Sequence, residues 1–340
     1  MNRKKFLQTL LPLSVGAMIS HRGFSRNTVP DFPVALPPNL KAGDTIGITC
    51  PAGFVTPEKI LNCAAILKNW GFRVCYGNTV GKQWMRFGGT DRERLEDFQT
   101  LLDDDNIHAV LFGKGGYGTM RIIDQVNWEK FREKPKWLIG YSDLTTVHLH
   151  VQANLGIPTL HGDMVTGMSG DYDRSSSTLF DALHGIPLQY AFRGSAMNRP
   201  GFATATLVGG NLSMIAACAG SKSDINTAGK ILFIEEVSEY KYTIDRMLLN
   251  LKRSGKLDKL AGLILGGFTA VKVDQEETFQ MSVEEIVYEK VREYGYPVCF
   301  NFPAGHMKDN CALKLGVPHE LTVNQKEVTL VEIPQPLVSG

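Results

Sequence analysis

The six cysteines of this 340-residue chain (Cys50, Cys63, Cys75, Cys218, Cys299 and Cys311) contain no Cys-x-x-Cys pair. That absence excludes the usual zinc and dithiol motifs. Six scattered thiols also do not make a dense disulfide framework, so most of them read as small core residues. Charge of one sign is equally lacking. Lys and Arg number 36 against 35 Asp and Glu, a net charge of +1, which gives no basic surface for nucleic acid or an acidic membrane. No run of about 18 apolar residues is present, so no stable membrane insertion is expected. No internal repeat is visible. What remains, 43% apolar and 21% charged residues, is ordinary globular composition at a length that suggests about two domains.

The N-terminus differs from the rest. Arg3, Lys4 and Lys5 precede a mostly apolar or small run from Phe6 to Ala17 that ends in Val15-Gly16-Ala17. Charge, apolar run and small-residue site occur in the order of a secretory signal. Arg3-Lys4-Lys5-Phe6-Leu7 also has the layout of a twin-arginine signal with one arginine replaced by lysine. Export, most simply to a periplasm, is therefore expected; a basic tail with a short apolar patch is the plainer alternative. Residues 1–39 are set aside as signal-like segment and linker.

From residue 40 onward, strand and helix patterns alternate. Thr45 to Thr49 reads as a strand. Thr56-Pro57-Glu58 then gives a helix start with proline in the first turn, and Ile60, Leu61, Ala64 and Leu67 recur on one face. Phe72 to Tyr76 is the next strand. Thr90-Asp91-Arg92-Glu93 is a capping box with Leu95, Phe98 and Leu102 behind it. Ile107 to Phe112 forms a strand, followed by a glycine-rich turn and a helix from about Thr119. This order predicts an α/β fold with a parallel sheet covered on both faces. Residues 40–166 form the first domain in this reading. The pattern dissolves over 167–200, which reads as an inter-domain connection. A second α/β domain follows over 201–335, with strands at Ile231 to Ile234, Leu263 to Leu265 and Val298 to Phe302.

The chemistry candidates sit at strand ends, where open parallel sheets place their ligands. Trp137-Leu138-Ile139-Gly140-Tyr141-Ser142-Asp143-Leu144 is an apolar run that stops at a glycine, with a serine two residues later and a helix-compatible segment beyond. That is the layout of a nucleophile elbow, although Leu144 stands where the second glycine of the usual pattern would be. The N–H of Asp143 would face a developing oxyanion. Glu235 follows the strand Ile231 to Ile234, and His306 follows the strand through Phe302. Serine, histidine and carboxylate together make a nucleophile, its base and the group that orients the base. Singly, each also fits a cap, an ion pair or a solvated loop.

Two other motifs are weighed against these. Gly113-Lys114-Gly115-Gly116-Tyr117-Gly118 fits the dinucleotide fingerprint but lies on a later strand than that motif normally occupies. Its glycines can instead bring N–H groups of Gly115 or Gly116 to the serine as oxyanion donors. His148-Leu149-His150 is a poor metal pair, because residues two apart on a helix do not share a face. No cofactor and no metal are expected.

Several segments together resemble the LD-carboxypeptidases, serine peptidases that trim muropeptides, and the related microcin-immunity peptidases. They are Gly43-Asp44-Thr45-Ile46-Gly47, Phe87-Gly88-Gly89-Thr90 with Arg94 and Asp97, Gly115-Gly116-Tyr117-Gly118 and Gly140-Tyr141-Ser142-Asp143. Gly209-Gly210-Asn211-Leu212, Ile234-Glu235-Glu236, Ile244-Asp245-Arg246-Met247-Leu248 and Gly305-His306 continue the series in the family order. The resemblance implies Ser142, Glu235 and His306 as catalytic residues. It also implies a flavodoxin-like first domain, a smaller C-terminal α/β domain and a homodimer. The implied reaction is release of terminal D-alanine from an L-centre in muropeptide tetrapeptides during cell-wall turnover or recycling. Glu236 stands where the family usually has Asp. Many relatives are cytoplasmic, which departs from the signal-like N-terminus here. Two alternatives remain: a peptidase acting on a peptide-nucleotide antibiotic, and a cell-wall peptide-binding protein without turnover.

Overall fold

The computed structural model describes residues 36–168, 173–272 and 279–334. The signal-like segment therefore lies outside the described residues, apart from its last four positions. Those four are not free linker: Leu36 packs against the core, and the Trp137 indole donates to the Pro38 carbonyl at 3.1 Å.

The first half alternates strand and helix as its periodicity requires. The strands are β1 (Thr45–Thr49), β2 (Arg73–Tyr76), β3 (Ala109–Phe112), β4 (Trp137–Gly140) and β5 (Thr159–His161). Between them run α1 (Pro57–Asn69), α2 (Asp91–Asp103), α3 (Glu129–Glu133) and α4 (Thr145–Asn154). The Thr90–Glu93 capping box is formed in both directions at the start of α2. These five strands are parallel, in the order β2-β1-β3-β4-β5. That order is flavodoxin-like, with its switch point between β1 and β3. Side chains alternate across the sheet. Ile46, Ile48, Leu111 and Ile139 face the cluster that contains Ile60, Cys63 and Leu67 of α1. Val110, Phe112 and Leu138 face Phe98 and Leu102 of α2 and Val147 of α4.

Two expectations change here. The glycine-rich turn after β3 leads into two short 3-10 turns, Thr119–Arg121 and Ile123–Gln125, and not into an α-helix. A dinucleotide fingerprint needs a helix N-terminus at that place for the pyrophosphate, so the sequence match loses its mechanism. Residues 167–200, read as a connection, contain α5 (Arg174–Leu183) and β6 (Gln189–Arg193). The helix was hidden by its serines; Asp173 caps it by accepting from the Ser176 N–H at 2.8 Å, and Leu179, Ala182 and Leu183 bury its face.

The remaining elements are β7 (Gly201–Asn211), α6 (Leu212–Cys218), β8 (Ile231–Val237), α7 (Lys241–Arg253), β9 (Gly262–Thr269) and α8 (Val283–Val291). They end with β10 (Val298–Cys299), β11 (Leu313–Leu315), β12 (Pro318–Val323) and β13 (Glu327–Glu332). Six of these strands and β6 form a second, seven-stranded sheet in the order β10-β9-β8-β7-β12-β13-β6. The long β7 changes partner along its length: Gly201 to Thr206 pairs antiparallel with β12, and Leu207 to Asn211 pairs parallel with β8. The short β11 leaves this sheet and pairs antiparallel with β5, at the edge of the first one. One apolar cluster runs through both sheets, joining Ile46 and Leu111 to Leu207, Phe233 and Phe302. The C-terminal ends of β4 and β8 thus meet across a shared core, which puts their loops within reach of each other.

Candidate active site

Ser142 sits on a sharp turn between β4 and α4. Its φ is +64°, in the left-handed region that a non-glycine residue occupies at a cost of roughly 1–2 kcal/mol. Tight packing around the turn explains Gly140, where a Cβ would lie 3.0 Å from Phe112 and 3.3 Å from Leu144. The strained serine on a strand-to-helix turn matches the elbow read from sequence.

His306 and Glu235 come to Ser142 from the second sheet. His306 Nε2 is 3.0 Å from Ser142 Oγ, and His306 Nδ1 is 2.7 Å from Glu235 Oε2. The His306 backbone N–H donates to the same Oε2 at 3.2 Å. With Nδ1 donating to the carboxylate, Nε2 is left to accept the serine proton. Glu235 is fully buried. A register shift between Ile234 and Glu236 in the β8–β9 ladder lies at this point, where bulges commonly re-aim a side chain. The close approach also explains Gly305: its φ is +103°, and a Cβ there would lie 2.7 Å from the Glu235 side chain.

Glu236 points elsewhere, as alternation along a strand requires. Its carboxylate accepts from the Ser213 N–H and hydroxyl, both at 2.7 Å, and from Asn211 Nδ2 at 3.1 Å. Burial raises its pKa, opposed by the Ser213 hydrogen bond.

The glycine-rich loop faces the serine. A Cβ on Gly115 would stand 2.8 Å from Ser142 Cβ and 2.9 Å from Oγ, while one on Gly116 would meet nothing within 4 Å. Gly115 therefore lies against the nucleophile and Gly116 borders open space. Three contacts hold the loop. Gly53 N–H donates to the Gly115 carbonyl at 3.0 Å, and Arg94 donates to the Gly118 carbonyl at 3.0 Å. Asp143 Oδ2 accepts from the Thr119 N–H at 2.9 Å and its hydroxyl at 2.6 Å. These contacts hold Gly115 beside Ser142, where a Cβ on it would lie 3.3 Å from the Asp143 nitrogen. Gly115→Ala keeps its backbone N–H but sets a Cβ 2.8 Å from Ser142 Cβ, so the loop and the serine must move apart; turnover is expected to fall about a hundredfold, the scale of misplacing a reacting group. Unchanged turnover in that variant would show that the loop does not serve the serine.

Several residues that complete the site were missed in the sequence. Asn310 Oδ1 accepts from the Gly305 N–H at 2.8 Å and from His161 Nε2 at 3.1 Å, and its Nδ2 donates to Asp163 Oδ1 at 2.8 Å. Thr269 Oγ1 donates to the His306 carbonyl at 2.6 Å, and the Tyr141 ring lies 4.9 Å from the imidazole. Burial pushes the Asp163 carboxyl up to about 6 and holds His161 down to about 3, so His161 stays neutral and serves as a donor. The histidines of the weak metal pair are both buried and go to separate partners: His148 Nε2 to the Gly140 carbonyl at 2.8 Å, His150 Nδ1 to Ser223 Oγ at 2.9 Å. Five of the six cysteines are buried and all six are free.

Comparison with known proteins agrees with this architecture. Family models described as the LD-carboxypeptidase N-terminal domain and C-terminal domain match residues 46–162 and 204–321. The chain is 32% identical over 300 residues to a Bacillus subtilis protein named "Probable murein peptide carboxypeptidase", covering 86% of this chain and 93% of that one. It is 23% identical over 335 residues to the microcin C7 self-immunity protein MccF of Escherichia coli, covering 86% and 94% of the two chains. Among solved structures, the muramoyltetrapeptide carboxypeptidase from Oxalobacter formigenes matches with a TM-score of 0.78 at 26% identity, over 86% of this chain and 99% of that one.

Proposed function

The chain belongs to the LD-carboxypeptidase family, and on that premise we propose that it releases the terminal D-alanine of muropeptide tetrapeptides through a Ser142–His306–Glu235 triad. The observation that carries this reading is the continuous hydrogen-bonded run from Ser142 Oγ through the His306 imidazole to buried Glu235. The names of the Bacillus subtilis and Oxalobacter formigenes proteins support the substrate class.

The chemistry follows from the atoms. Ser142 Oγ attacks the carbonyl of the penultimate residue while His306 Nε2 takes the hydroxyl proton. The imidazolium that forms is held by Glu235, whose buried carboxylate fixes the ring and offsets its charge. The carbonyl oxygen becomes an oxyanion facing the N–H groups of Asp143 and Gly115 or Gly116. Collapse expels the amine of the last residue, which receives the proton from Nε2. Water then repeats the sequence on the acyl-serine and returns the tripeptide. Every step is assigned to this chain's own side chains and N–H groups.

The test is a pair of tetrapeptides that differ only in the configuration of the final alanine, each assayed with and without a chelator. Release from the D-terminated peptide at least about tenfold faster, unaffected by chelation, is expected. Loss of activity on chelation with recovery on adding zinc would overturn the serine mechanism. Equal rates on both peptides would overturn the L,D specificity.

A further inference from the structure

We propose that an aromatic and cationic rim at the glycine-rich loop that faces Ser142, built from Trp84, Arg86 and Tyr117, holds the saccharide-bearing end of the substrate. The proposal rests on the carboxypeptidase reading and names a second contact surface for it.

The rim is a constructed feature at the switch point of the first sheet. Residues 84–87 form a tight turn in which Trp84 and Phe87 exchange backbone hydrogen bonds at 3.0 and 2.9 Å, and Gly88 N–H donates to the Ala52 carbonyl at 3.0 Å. Phe87 is buried and forms the base. The Trp84 ring stacks on it at 5.8 Å with 23° between planes, and the Tyr117 ring tilts against it, also at 5.8 Å. Arg94, fully buried, lies 4.7 Å from the centre of the Phe87 ring and donates to the carbonyls of Pro51, Gly89 and Gly118. The base is thus tied to the loop that faces Ser142.

The outer surface is left open. Trp84 and Tyr117 are 38% and 41% exposed, although each has a buried aromatic neighbour. Arg86 lies 5.9 Å over the Tyr117 ring, and it has no ion-pair partner among the described residues. Exposed rings gathered in one patch mark a contact surface more often than rings scattered singly. Exposed aromatic rings next to an uncompensated guanidinium suit a ligand that has both a ring with C–H edges and oxygen acceptors.

Length selects the occupant. A Cβ on Gly115 would be 2.9 Å from Ser142 Oγ. Tyr117 is two residues further on, at most about 7 Å along the chain, so the rim begins within roughly 10 Å of the nucleophile. A muramoyl tetrapeptide cut before its last residue keeps three residues between the attacked carbonyl and its sugar. Three extended residues span about 10 Å, long enough for the sugar to reach the rings.

The experiment measures alanine release from a free tetrapeptide and from the same peptide carrying its muramoyl sugar, using wild type, Trp84→Ala and Trp84→Phe. For the sugar-bearing substrate, Trp84→Ala is expected to raise KM about fivefold to tenfold, as loss of one aromatic stacking contact implies, with kcat within about twofold. Trp84→Phe should restore most of it, and neither variant should alter the constants for the free peptide. An equal change on both substrates, or no change on either, would overturn the proposal. So would a shift in oligomeric state of Trp84→Ala on sedimentation, because a second copy would then cover the rim. A wild-type protein that releases alanine from neither substrate would sink the carboxypeptidase reading itself.

Discussion

Ser142→Ala is expected to leave a folded protein whose turnover is at least about a thousandfold lower. Removing one hydroxyl deletes the nucleophile, and what activity remains comes from the oxyanion donors and substrate binding alone. The fold has little to lose. Among the described residues Ser142 Oγ has one hydrogen-bond partner, His306 Nε2 at 3.0 Å, and the turn is held by backbone geometry, by Asp143 on Thr119 and by the packing of Gly140. Thermal melting should therefore shift by a few degrees at most. Near-normal turnover in a purified, folded sample would remove Ser142 from the mechanism, and with it the interpretation of the Gly115 loop.

The second large effect separates two adjacent acids. Glu235→Gln should reduce turnover about a hundredfold or more at saturating substrate, because the imidazole loses both its charge partner and the acceptor that fixes its tautomer. Glu236→Gln should act on stability instead. Its carboxylate accepts from Ser213, Asn211 and the Val237 N–H, and an amide turned into that ring of donors leaves one or more of them unsatisfied, at roughly 1–3 kcal/mol each. Turnover corrected for folded protein should stay within about tenfold of wild type. If Glu236→Gln proved the more damaging to turnover, the triad would contain the wrong acid.

These two acids also illustrate what the chain reveals in one dimension. Glu235 was readable because it directly follows a short apolar run, although β8 continues through it to Val237, and strand alternation sends Glu236 to the other face. The elbow was readable for the same local reason, an apolar run stopped at Gly140. The capping box at Thr90 is local as well. Asn310 left no such mark. It lies in irregular chain, and its partners His161 and Asp163 are 149 and 147 residues away, so no period or spacing connects them. The helix α5 was hidden because Ser175, Ser176 and Ser177 dilute its apolar face to three residues. The return of β11 to the edge of the first sheet could not be read either. A three-residue strand, Leu313–Leu315, has no pattern that says which sheet it will join. After β3 the glycines were read correctly as loop, but the segment from Thr119 tightened into 3-10 turns because it must bring the Thr119 N–H to Asp143.

The most direct test of the account is product identification from the full chain with a muramoyl tetrapeptide whose third residue is an L-centred diamino acid. One cleavage is expected, giving free D-alanine and the muramoyl tripeptide in equal amounts, with both formed at least about a thousandfold more slowly by Ser142→Ala. Cleavage at any internal bond, or an unchanged tetrapeptide in the presence of folded wild-type protein, would contradict it.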